Sequence, residues 1–95
     1  MTSMTGPSLS SVNLDVRRKK ILFRAWHRGM KEMDLVLGSF ADANLAELVD
    51  DELDQLERLM DVPDRELFKW ISGEGVIPSN HQSPLLDKII AFHGG

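Results

Sequence analysis

Leu53, Leu56, Leu59 and Met60 recur at helical spacing, and Asp54, Glu57 and Asp61 fill positions on the opposite side. That spacing follows the 3.6-residue turn, with apolar side chains on one face and carboxylates on the other. Similar apolar stripes return in four further stretches. No segment alternates apolar and polar residues with period two over a useful length. A chain patterned this way has no strands to pair, so the fold is expected to be all-α.

Ninety-five residues allow one domain with a modest core. The absence of cysteine removes disulfides, thiolate metal sites and thiol nucleophiles together. No apolar run approaches the ~18 residues of a membrane span. Residues 1–13, rich in Ser and Thr and without charge before Asp15, read as a disordered tail before a helical domain from residue 14 to the end. They have neither the apolar core of a secretory signal nor the arginines of a transit peptide, so a cytoplasmic, bacterial protein is expected.

Five helices are predicted. Asn13 or Asp15 caps the first, which runs to about Arg28, with Leu22, Ala25, Trp26 and Gly29 as its buried stripe. The second starts near Met30 or Lys31 and ends near Asn44, burying Met33, Val36, Leu37, Phe40 and Ala41. Gly38 within it costs about 1 kcal/mol relative to Ala and is read as a site of close helix packing. Asp50 caps the third. Asp61 or Asp64 caps the fourth, with Pro63 in its first turn, Leu67, Phe68 and Ile71 inward and Gly73 and Gly75 as its stop. Ser83-Pro84 opens the fifth, with Leu86, Ile89, Ile90 and His93 on the inner side.

Charge is segregated. Arg17, Arg18, Lys19, Lys20, Arg24, Arg28 and Lys31 are seven of the eleven basic residues, whereas Glu32 to Glu66 holds twelve acids against Arg58 and Arg65. Such asymmetry favours oriented docking on a charged partner. Nucleic acid is disfavoured, because no groove-reading motif follows and the acidic remainder repels phosphates.

Between the first two helices lies Arg28-Gly29-Met30-Lys31-Glu32. In a continuous helix Arg28 and Glu32 would share one face. Gly29, lacking a Cβ, would let another backbone approach closely. The plainer reading is that Gly29 ends the first helix and the two charges form an ordinary surface pair. Catalytic chemistry finds little support: His27, His81 and His93 have no partner His at i+4, no phosphate loop follows Gly73-Glu74-Gly75, and no serine sits in a nucleophile elbow. Trp26 fits the core stripe. Trp70 is expected to be half-exposed, as an interface anchor.

His27-Arg28-Gly29-Met30-Lys31-Glu32-Met33-Asp34 resembles the Arg-Gly-x-x-Glu signature of the FAD assembly factor (SdhE) family, the succinate dehydrogenase assembly factors. Asp64-Arg65-Glu66-Leu67-Phe68-Lys69-Trp70 resembles that family's second marker, an acidic residue followed by Leu-Phe-x-Trp. The resemblance covers about Arg17 to His93. It implies a compact five-helix bundle that is not itself an enzyme and has no cofactor of its own. Such a protein binds the flavoprotein subunit of succinate dehydrogenase and promotes covalent attachment of FAD to it; from the run of capped amphipathic helices the domain is expected to be a monomer. Some members also act on fumarate reductase. Carried over, the signature falls on Arg28, Gly29 and Glu32, with His27, Met30 and Trp70 as further partner-binding positions. His27 stands where many relatives have Arg, which makes the charge there depend on pH. The alternative is a regulatory interaction module, such as the antitoxin role attached to some relatives.

Overall fold

The computed structural model describes residues 14–94; the tail expected over residues 1–13, and Asn13 as a cap, lie outside the described residues. The architecture is all-α. Five helices follow in order: α1 (Val16–Trp26), α2 (Lys31–Asn44), α3 (Asp50–Met60), α4 (Asp64–Ser72) and α5 (Pro84–Gly94). Single 3-10 turns occupy Leu45–Glu47 and Ser79–His81, and no strand occurs among the described residues. The chain divides into two compact units that meet in sequence at Leu48 and Val49.

The N-terminal unit is a helical hairpin. Ile21, Leu22 and Ala25 of α1 are buried, as are Met33, Val36, Leu37, Phe40 and Ala41 of α2. Gly38 is buried beneath the indole of Trp26, and a Cβ placed there would lie 2.3 Å from Trp26 Cδ2. The helix-weakening glycine is therefore the condition for seating the tryptophan. The indole Nε1 is buried and has no acceptor among the described residues.

Arg18 closes this unit. Its Nε donates to the Leu45 carbonyl at 3.0 Å, its Nη2 to the Leu48 carbonyl, and its Nη1 to Asp15 Oδ1 at 2.9 Å. Carbonyls at the end of a helix lack intrahelical partners, and a guanidinium satisfies several at once. The same guanidinium holds the Asp15 carboxyl below its ordinary range.

The C-terminal unit packs α5 against α3 and α4. Leu53, Leu56, Leu59 and Met60 are buried as the spacing requires. The caps of α3 and α4 fall one residue or more from their expected places. Val49, not Asp50, precedes α3, and its N–H donates to Glu52 Oε1 at 3.0 Å. Pro63, not Asp61 or Asp64, precedes α4. Asp50 and Asp64 instead occupy first helical positions, where their charge suits the helix dipole. Gly73 ends α4 with φ +83°, and Glu74 N–H reaches back to the Lys69 carbonyl at 2.8 Å. This is a left-handed stop that glycine adopts without steric cost. Ser83 Oγ accepts from Leu86 N–H at 3.1 Å, capping α5 as the Ser-Pro pair predicts. The inner stripe of α5 is Leu85, Leu86 and Ile89. Ile90 is half-buried, and His93 is exposed with its ring edge-on to Phe68, itself only half-buried.

Candidate functional site

Helix α1 stops two residues earlier than its apolar pattern suggests. His27 leaves helical geometry at φ −126°, ψ 52°, and α2 begins at Lys31. The intervening corner is fixed by a contact from six residues ahead: Arg28 N–H donates to Asp34 Oδ1 at 2.6 Å. A carboxylate in the first turns of a helix is itself favoured by the dipole, and a bond to it is charge-assisted. Asp34 thus sets the path of the signature residues. The sequence marks it only as an acid in the opening turns of α2.

Three expectations are corrected here. Gly29 does not continue the buried stripe of α1; it is exposed in the corner. It is not a left-handed helix cap either, because Gly73 is the positive-φ glycine among the described residues. Arg28 and Glu32 do not stack one helical turn apart, since Arg28 precedes α2 by three residues. Arg28 is half-buried and Glu32 exposed, so the charges lie before and after an exposed glycine backbone. Met30 is half-buried at the entry to α2.

His27 is exposed and stacks on Phe23, with ring centroids 4.0 Å apart and planes 19° from parallel. In the tautomer protonated at Nδ1, the ring donates to the Phe23 carbonyl at 2.7 Å. Phe23 is an exposed aromatic beside the corner that the sequence reading does not single out. Its signal is an aromatic out of register with the buried stripe, set on the most basic helix.

Trp70 is not the half-exposed anchor expected. It is 6% exposed and joins Leu67 and Ile71 in the core. His81, in the 3-10 turn, lies 5.2 Å from it between ring centroids. An open hollow of about 510 Å³ beside it is lined by Arg58 as well as Asp61 and Glu66, so charge of both signs faces it. Among the described residues no three His, Asp or Glu side chains gather to hold a metal ion. No helix among them is long and apolar enough to cross a membrane.

These features define a class: a small all-α domain with an exposed glycine corner set between a cation and an anion. The family model described as the flavinator of succinate dehydrogenase (Sdh5) matches residues 19–93, and the chain belongs to that family. It is similar to the FAD assembly factor SdhE of Acetobacter pasteurianus, 33% identical over 89 residues that make up 94% of this chain and 82% of that protein. It is also similar to the mitochondrial succinate dehydrogenase assembly factor 2 of Dictyostelium discoideum, 37% identical over 80% of this chain and 53% of that protein. The corresponding factor of Danio rerio is 30% identical over 83% of this chain and 51% of its own length. The chain therefore spans about half the length of these mitochondrial relatives. No solved structure matches it significantly.

Proposed function

We propose that this protein binds the flavoprotein subunit of succinate dehydrogenase and promotes covalent attachment of FAD to it, without catalytic groups of its own. The observation that carries the reading is the exposed Gly29 corner, held by Asp34, in a chain of the flavinator family. A helper of this kind needs a rigid surface that binds one conformation of its partner better than another. Gly29 allows close backbone approach, and Arg28 and Glu32 supply charges on either side of it. The flavin chemistry stays with the cofactor and the partner. On this reading the FAD is carried by the partner, in keeping with Gly73-Glu74-Gly75 leading into a loop and a 3-10 turn rather than into a helix start. The fumarate reductase flavoprotein, as a second client, would use the same corner.

The test compares in-gel flavin fluorescence of the succinate dehydrogenase flavoprotein in cells with this gene, without it, and with Gly29→Arg. Fluorescence is expected with the wild type and lost in the other two. No left-handed backbone opposes a side chain at Gly29, so the variant should melt like the wild type. Undiminished capture and flavinylation by a folded Gly29→Arg protein would remove the corner from the interface.

A further inference from the structure

The solvent face of α1 is more than a charged surface. Val16, Lys20, Phe23 and His27 follow at intervals of four, three and four, on the side away from Ile21, Leu22 and Ala25. Val16 is 66% and Phe23 63% exposed. Lys19, Lys20 and Arg24 are also exposed along this face. A single exposed aromatic would need no explanation. This ring, however, is stacked on His27, which is in turn bonded to the Phe23 carbonyl. Much of the side-chain freedom that docking would remove is already gone. His27 also opens the corner, so the face runs without a break into Arg28 and Gly29.

We propose that this face extends the docking surface along α1 and takes an acidic protein patch with an apolar socket for Phe23. The assignment rests on the reading above, and the patch would belong to the succinate dehydrogenase flavoprotein. Exposed cations around a preorganised aromatic match such a patch in charge and in shape. They suit a nucleic acid or an anionic bilayer poorly. Either of those presents negative charge broadly, to Glu32, Asp42 and Glu47 of the same unit as well as to α1. A protein patch is local and meets the cations alone.

The experiment measures calorimetric binding of the full chain to purified flavoprotein subunit at low and high salt, for the wild type, Phe23→Ser, Lys20→Glu and Arg28→Ala. Phe23→Ser should weaken binding roughly tenfold or more, as for an anchor side chain, with its salt dependence kept. Lys20→Glu should weaken it at low salt and flatten the salt dependence. Thermal melting should place both variants within the small range usual for surface changes. Wild-type affinity in a folded Phe23→Ser protein, with Arg28→Ala weakened, would overturn this assignment and leave the corner as the interface. No binding by the wild type would overturn both it and the proposed function. Two control probes are a single-stranded oligonucleotide and phosphatidylcholine vesicles containing phosphatidylserine. Capture of either as tightly as the flavoprotein, with the same loss in Phe23→Ser, would also overturn it.

Discussion

Helices α1 and α3 have the same length, eleven residues, and each buries one apolar stripe. Their outward faces differ. That of α3 carries Asp50, Asp51, Asp54 and Arg58, and none of the exposed large apolar side chains lies within it. That of α1 sets Val16 and Phe23 among Lys19, Lys20 and Arg24. A face made only of charged side chains is solvated cheaply and asks for nothing. A face that keeps an ordered aromatic in water forgoes hydrophobic burial that a partner could restore. Amphipathic period separates inside from outside in both helices, but only the content of the outside separates scaffold from surface with work to do.

The largest expected effect sharpens the scaffold side of this contrast. Leu56 is fully buried, so Leu56→Ala should cost about 2–4 kcal/mol. Asp54→Ala, on the exposed face of the same helix, should change stability by less than about 0.5 kcal/mol. Equal losses in urea denaturation would show α3 to be no simple scaffold. Next comes the buried side of α1. Gly38→Ala should destabilise by about 1–2 kcal/mol, because the new methyl must displace Trp26 and the gain in helix propensity offsets only part of that strain. A more stable variant with unchanged tryptophan emission would mean that the indole is not seated on Gly38.

A smaller, pH-dependent effect lies at Glu52. Its carboxyl is held below the usual range by its bond to the Lys88 ammonium and then by Val49 N–H. A depressed folded-state value stabilises the fold above the ordinary carboxylate range near ~4.3, and the benefit fades as pH falls through the lowered value. Glu52→Gln should therefore lose less than about 1 kcal/mol at neutral pH, since Lys88 is exposed, and approach the wild type in acid. A difference that widened on acidification would reverse the sign of this assignment.

The inner stripes of α2 and α3, the Gly73 stop and the Ser83 cap were legible because each follows from residues within a turn or two. What was not legible depended on distant partners. The early end of α1, and with it the exposure of Gly29, turns on Asp34 reaching back six residues to Arg28. Trp70 reads as spare beside Leu67 and Ile71, yet it is buried, with His81 from the following loop beside it. Phe23 lies out of register with the buried stripe, and its pairing with His27 shows only once α1 ends at Trp26. The family resemblance supplied the signature, while the backbone supplied its shape.

Arg18 reads in sequence as one more cation in a basic run. In the fold it joins Asp15, just before α1, to the carbonyls of Leu45 and Leu48 after α2. The two ends of the helical hairpin are therefore joined by one guanidinium. Closing a loop of this span costs little more than closing one half as long, since the entropy grows only with the logarithm of length. Adjacent ends are the geometry that lets a hairpin be spliced into another chain, or have its ends rejoined elsewhere, without redrawing its interior.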